Sequence, residues 1–212
     1  MKKTILVIDG SYKKGIDFVD TTLASGSAFL CQKLSGRQQS LRHKKDGNSA
    51  FLLRQLLSGK EEESFFVDRK MKFSPCIGCG KCAKTKQCVL DDDMQKVYEM
   101  AQTAKRVVIV SPIYFGTVTG FVLDVLSRFQ QFFGNEFDLL PKVGKSKQGA
   151  VILCAGGKGG EITHAEKVAK TFCTMLNVEK LHFITSYKTD SIPANEDKEA
   201  IEKIEFVRKE WF

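Results

Sequence analysis

The sequence has no long hydrophobic run. None of its 212 residues belongs to an uninterrupted apolar stretch of the roughly 18 that a bilayer-crossing helix requires. The chain starts Met1-Lys2-Lys3 and runs straight into a strand-like segment, without the apolar core of a signal peptide. A cytoplasmic protein with no membrane partner is therefore expected. No G-x-x-x-x-G-K-[ST] and no G-x-G-x-x-G occurs, which removes the usual nucleotide triphosphatase and dinucleotide-binding signatures. The lysines behind the net charge of +8 are scattered and accompany no recognised nucleic-acid motif, so a solvated basic surface is expected and no nucleic-acid partner. Such a surface still steers phosphorylated or acidic molecules toward the protein. His43, His164 and His182 stand apart from one another and from any nucleophile, so no side-chain acid, base or nucleophile is expected to be indispensable.

Cysteine is what the chain does have. Seven occur, an odd number, and four crowd into thirteen residues as C-x2-C-x2-C-x5-C at Cys76, Cys79, Cys82 and Cys88. That pattern suits metal or redox chemistry in a reducing compartment better than a secreted disulfide framework. Gly78 and Gly80 permit the tight, partly left-handed turns that would point four sulfurs at one centre, and Lys81, Lys84 and Lys86 favour thiolates. A [4Fe-4S] cluster, a structural four-cysteine zinc site and a metal-free thiol loop all remain open on spacing alone. Cys31, Cys154 and Cys173 read as ordinary small apolar positions.

With 42% hydrophobic residues, the chain supports one well-packed domain. Residues 3–9 form a short apolar run ending in Gly10-Ser11, read as a buried first strand and a phosphate-type turn. Residues 12–47 are an irregular polar excursion, expected either to fold locally or to act as a lid, and SAFL at 27–30 recurs as SAFL at 49–52. Asn48 is the expected N-cap of a helix closed by Gly59. Further strands are expected at 64–67, 106–110, 150–154 and 180–186, with a break at Ser111-Pro112. Helices are expected from Asp91-Asp92-Asp93 through Ala101 and at 121–133, 162–176 and 194–212. Strands that read as continuous apolar runs and alternate with helices predict an α/β fold. The expected form is a flavodoxin-like, doubly wound, five-stranded parallel sheet of order 2-1-3-4-5.

In such a sheet, ligands bind beyond the carboxyl ends of the strands. Three loops rich in Gly, Ser, Thr and Asn follow strands one, three and four. The first offers Ser11 and then Lys44, Asn48 and Ser49 at a helix start, a metal-free phosphate site or plain helix capping. The second, Ser111, Pro112, Ile113, Tyr114, Phe115, Gly116 and Thr117, places aromatics and backbone N–H groups where a flat heteroaromatic ring can rest; aromatic core packing is the alternative. The third, with Gly156, Gly157 and Gly160, lets backbone approach closely. Phosphate, flat ring and close backbone together point to FMN.

CIGCGKC at 76–82 followed by CVLDDD at 88–93, then SPIYFGTVTG at 111–120, then GGKGGE at 156–161 with Thr163, resembles the flavodoxin-like NADPH-dependent FMN reductases, and within them the iron-sulfur flavoprotein group. The resemblance covers most of the chain and is most specific from Cys76 to Gly120. It implies non-covalent FMN, homodimers or homotetramers, and electron transfer between reduced nicotinamide (NADPH or NADH) or ferredoxin and an acceptor. Carried over by motif, Ser11, Asn48 and Ser49 fall in the phosphate loop, with Lys44 where the family has arginine. Residues 111–117 fall in the isoalloxazine loop, and Gly156, Gly157 and Gly160 in the third. Cys76, Cys79, Cys82 and Cys88 fall on the cluster ligands. Relatives run the phosphate loop as one compact stretch; here 12–47 intervene, an insertion placed to cover the flavin. An FMN-dependent oxidoreductase with a [4Fe-4S] cluster is expected, the alternative being an FMN-binding electron carrier or interaction protein whose cysteine loop holds zinc or no metal.

Overall fold

The structure, a computed structural model, describes residues 2–11, 47–132, 143–157 and 163–212. Among them, five strands make one sheet of order β2-β1-β3-β4-β5: β1 (Ile5–Asp9), β2 (Ser64–Val67), β3 (Arg106–Pro112), β4 (Lys147–Cys154) and β5 (Val178–Ser186). Every pairing is parallel, as in Ile5 opposite both Ser64 and Arg106 and Ile109 opposite Val151. The helices are α1 (Asn48–Leu57), the short α2 (Lys81–Thr85), α3 (Met94–Thr103), α4 (Gly120–Arg128), α5 (Thr163–Met175) and α6 (Lys198–Trp211).

The pleat sorts the core. Leu6, Ile8, Val107, Ile109, Val151 and Leu153 face a layer built by Met94, Val97 and Ala101 of α3, Val122 and Val125 of α4, and Ala169 and Phe172 of α5. Ile5, Val7, Val108, Val110, Ala150 and Ile152 face Leu52, Leu53 and Leu56 of α1 and Ile204, Val207 and Trp211 of α6. Both sheet faces are thus covered, which is why the strands read as unbroken apolar runs. Arg208 of α6 donates to the carbonyls of Gln55, Leu56 and Ser58, satisfying the open end of α1 and tying the two helices of this layer together.

Several boundaries differ from expectation. β3 does not break at Ser111-Pro112 but runs through both, opposite Leu153 and Cys154. Pro112 closes the strand, where its missing N–H costs least, and the amide of Ile113 resumes bonding to the Cys154 carbonyl at 2.8 Å. Gly47, not Asn48, is the N-cap of α1. Asn48 is already helical, and its Oδ1 accepts from the Ala194 amide at 3.0 Å. α4 stops at Arg128 and passes into a 3-10 turn, Phe129–Phe132. α6 begins at Lys198, capped by the Asp197 side chain accepting from Ala200 N, four residues later than the pattern at 194 predicts. The first SAFL copy lies outside the described residues, as does all of the 12–47 excursion except Gly47.

At the amino-terminal end of the strands, β4 opens on a buried lysine. Lys147 Nζ donates to the carbonyls of Val143 (2.7 Å) and Lys145 (2.8 Å), and burial pushes its pKa from 10.5 down to about 8. Between those values the unfolded chain binds the proton that the folded chain has released, so this lysine's contribution to stability rises with pH across the window. The buried thiols of Cys154 and Cys173, held protonated in the fold, pull the other way over the same range, so the gain is read as a difference. Between pH 8 and pH 10.5, urea unfolding should show the stability of the wild type rising relative to Lys147→Met by at most about 3 kcal/mol.

Candidate functional site

The carboxyl ends of β1, β3, β4 and β5 and the N-terminus of α1 surround an open cavity of about 350 Å³, lined by Ser11, Gly47, Asn48, Ser49, Pro112, Ile113, Tyr114, Cys154, Gly156, Thr189 and Asp190. That volume is in the range of small-molecule and cofactor sites. The first intrahelical bond of α1 runs from Phe51 N to Gly47 O, so the amides of Asn48, Ser49 and Ala50 have no carbonyl to bond within the helix. Beside them, the Ser11 hydroxyl is buried and makes no hydrogen bond of proper geometry with any described residue. Ser11 N donates to Asp9 Oδ1 at 2.9 Å. Burial raises the Asp9 pKa, against the opposing pull of Ser11. A buried, unused hydroxyl next to the open amides of a ten-residue helix is a fit for a phosphate group.

The loop after β3 is a two-residue turn. Tyr114 and Thr117 exchange both backbone hydrogen bonds (3.0 and 3.1 Å), with Phe115 at φ +52 and Gly116 at φ +75 between them. Paired left-handed residues are the signature of a type I′ turn, which strains any side chain at the Phe115 position. Phe115 nonetheless stands fully exposed at its tip, and Tyr114 is half exposed on the cavity wall. The expected row of free amides is shorter than the sequence implied. Those of Ile113, Tyr114 and Thr117 are spent on protein carbonyls, which leaves the amides of Phe115 and Gly116 without a described partner.

The expected residues therefore divide. Ser11, Asn48, Ser49, Pro112, Ile113, Tyr114 and Gly156 line the cavity, whereas Ser111, Phe115, Gly116, Thr117 and Gly157 are not on its wall. Lys44 and Gly160 lie outside the described residues. Ser111 is fully buried; its Oγ accepts from Thr119 N at 2.9 Å and holds the start of α4 against β3. Asn48 has its Oδ1 committed to Ala194, so Nδ2 is the end it can offer a ligand. Thr189 and Asp190 were missed because they follow the one strand whose loop is not rich in glycine. A Cβ on Gly156 would meet the Asp190 carboxylate at 2.4 Å, so the glycine makes room for that residue as much as for a ligand.

The cysteine loop forms a second, smaller site. Cys76, Cys79, Cys82 and Cys88 all line one pocket with Arg128 and Gln131, holding about 20 Å³ of sheltered space within about 350 Å³ that opens to solvent. Gly78 and Gly80 are left-handed, as expected (φ +65 and +67), and Gly78 N donates to Cys76 Sγ at 3.4 Å. The loop is mounted on the end of α4: Ser127 Oγ accepts from Cys76 N (2.9 Å), Gln131 Oε1 accepts from Cys88 N (2.8 Å), and Arg128 Nη2 lies 3.5 Å from Cys88 Sγ. None of these three partners was visible in the sequence, since 40 or more residues separate each from its cysteine. Among the described residues no group of three Cys, His, Asp or Glu side chains is gathered closely enough to hold a metal ion. The four cysteines nevertheless share the wall of one pocket, and thiolate sulfur suits both zinc and iron-sulfur clusters.

Comparison with known proteins agrees with this geometry. Residues 40–190 match the family described as NADPH-dependent FMN reductase. An iron-sulfur flavoprotein of Archaeoglobus fulgidus is 34% identical over 99 residues, 47% of this chain and 49% of that protein. One from Methanocaldococcus jannaschii is 29% identical over 131 residues, 60% of this chain and 65% of that protein. The chain thus spans between about half and two thirds of these relatives' length. Among solved structures, an FMN-dependent NADH-azoreductase from Bacillus anthracis in complex with FMN superposes with a TM-score of 0.58 at 16% identity, covering 99% of both chains, a likeness of fold.

Among the described residues, the other two thiols are inert by burial, which pushes Cys154 up to about 11 and Cys173 up to about 12, and Cys31 lies outside the described residues. Iodoacetamide at neutral pH should label the exposed Cys76 and Cys79 of the metal-free protein and leave Cys154 and Cys173 untouched until urea unfolds it. Peptide mass spectrometry reads the difference.

Proposed function

Because this chain belongs to the NADPH-dependent FMN reductase family, we propose that it is an oxidoreductase that binds FMN over the strand ends and passes electrons between reduced nicotinamide or ferredoxin, FMN and a [4Fe-4S] cluster. The observation that carries this reading is the buried, unpartnered Ser11 hydroxyl beside the open amides of α1, at one end of a cavity whose wall also bears Tyr114. When bound, FMN supplies exchange between hydride and single-electron chemistry, and the cluster supplies a one-electron store.

The chain's own part is binding and orientation. Ser11, Ser49 and the first amides of α1 take the phosphate with Asn48 Nδ2, and Lys44 adds charge. Pro112, Ile113 and Tyr114 support the ring, while the amides of Phe115 and Gly116 bond its polar edge. Ser111 and Thr117 act indirectly by fixing the turn. Gly156, Gly157 and Gly160 let the third loop close on the cofactor, and Thr189 and Asp190 complete the wall. Cys76, Cys79, Cys82 and Cys88 hold the cluster, in support of which all four line one pocket. The reading extends to one FMN-binding unit, assembled as a homodimer or homotetramer in a reducing cytoplasm. No helix among the described residues is long and apolar enough to cross a membrane.

The test is the absorption spectrum of protein purified without oxygen, with FMN, iron, sulfide and zinc measured on the same sample. Flavin bands over a broad shoulder, with about four irons per chain, are expected. Cys79→Ala should lose iron and sulfide and keep FMN, and Ser11→Ala should bind FMN about tenfold more weakly, the loss of one hydrogen bond to a charged group. Absence of nicotinamide oxidation, with one zinc per chain, would favour the electron-carrier alternative, and absence of flavin would sink both.

A further inference from the structure

Cys88 differs from the other three thiols in what stands behind it. Arg128 Nη2 lies 3.5 Å from its sulfur, and this arginine is 1% exposed. Asp92 holds the guanidinium with both oxygens, Nη1 to Oδ2 at 2.5 Å and Nη2 to Oδ1 at 3.0 Å, while Nη1 also donates to the Ser74 carbonyl at 2.8 Å. Burial alone would depress the arginine's pKa, but the Asp92 hydrogen bond and charge outweigh it and raise it above its ordinary value. A guanidinium has five N–H groups. The four on Nη1 and Nη2 match these four contacts, and the fifth, on Nε, is buried without an acceptor among the described residues, on a side chain that lines the thiol pocket. The Tyr98 hydroxyl fixes the arginine's own carbonyl at 3.1 Å.

Burying a charged pair at this position has no evident return in packing, since an apolar pair of equal volume would serve the core as well. One of its donors, Nη2, instead faces sulfur. An N–H bond to a thiolate is charge-assisted, and hydrogen bonds to cluster sulfurs favour the more negative, reduced state.

We infer that Arg128 is a positioning residue for the cluster: its guanidinium, held in place by Asp92, bonds the Cys88 thiolate, offers its free Nε–H to a sulfur in the pocket, and raises the cluster's reduction potential. This rests on the reading that Cys76, Cys79, Cys82 and Cys88 carry a cluster. Its positioning logic has a signature that a merely structural pair would not produce. Arg128→Lys keeps the charge but cannot reach Asp92, Ser74 and Cys88 together, so it should shift the potential down. Asp92→Glu keeps the negative charge but, one methylene longer, displaces the guanidinium from Cys88, so it too should shift the potential down, whereas a pair acting through charge alone would leave it unchanged.

The experiment is an anaerobic spectroscopic redox titration of the full chain with its FMN and cluster, wild type and both variants, with iron, sulfide and FMN content as controls. At the wild-type midpoint, the ratio of reduced to oxidised cluster should fall about tenfold in Arg128→Lys and fall in Asp92→Glu. Potentials unchanged in both variants, or moved upward in either, would overturn the inference while leaving the cluster reading intact. If Arg128→Lys does not fold or loses its iron, Asp92→Glu decides: a downward shift supports the inference, and no shift or an upward one refutes it. A wild-type protein without iron and sulfide would remove the cluster reading itself, and the inference with it.

Discussion

Strand β1 is buried on both faces and paired on both edges, and the molecule is built around that constraint. Ile5, Leu6, Val7 and Ile8 are all fully inaccessible, and β2 and β3 bond either side. A strand with no solvent-facing side must have helices above and below it, and parallel neighbours must be reached by crossovers. Every connection that leaves a strand's carboxyl end therefore emerges at one edge of the sheet. The cavity is a consequence of that topology, and so is the meeting of Ser11, Ile113, Gly156 and Asp190, which come from four different strands.

The close approach of these loops is enforced by small residues and short bonds. A Cβ on Gly10 would meet Thr119 Oγ1 and Val122 Cγ2, each at 2.5 Å, and the Thr119 hydroxyl donates to the Gly10 carbonyl at 3.1 Å. The end of β1 thus rests against the first turn of α4. The other end of α4 carries Ser127 and Arg128, and the 3-10 turn that follows carries Gln131, the three side chains that grip the cysteine loop. One nine-residue helix and the turn that continues it therefore link the end of β1 to the thiol pocket.

Much of this was legible in the sequence because its cause is local. Continuous apolar runs gave the five strands and their alternation with helices gave the sheet order, since burial on two faces forbids the polar alternation of a half-exposed strand. Gly78 and Gly80 announced their left-handed turns, and four cysteines within thirteen residues cannot avoid sharing a neighbourhood. Boundaries were less legible where two local preferences compete. Pro112 reads as a break yet ends a strand, and Asn48 reads as a cap yet spends its carbonyl on Ala194, 146 residues away.

The chain by itself determined the fold, the edge of the sheet where the cavity opens, and the thiols that line one pocket, because hydrophobic period, glycine and cysteine spacing act over a few residues. Only the tertiary structure decided which polar groups remain free. It spent the amides of Ile113, Tyr114 and Thr117, buried Ser111, left the Ser11 hydroxyl without a hydrogen-bond partner among the described residues, and brought Arg128 to Cys88 across 40 residues. Hydrogen-bond satisfaction is a property of the assembled interior, where a donor's partner is set by packing and not by its neighbours in the chain.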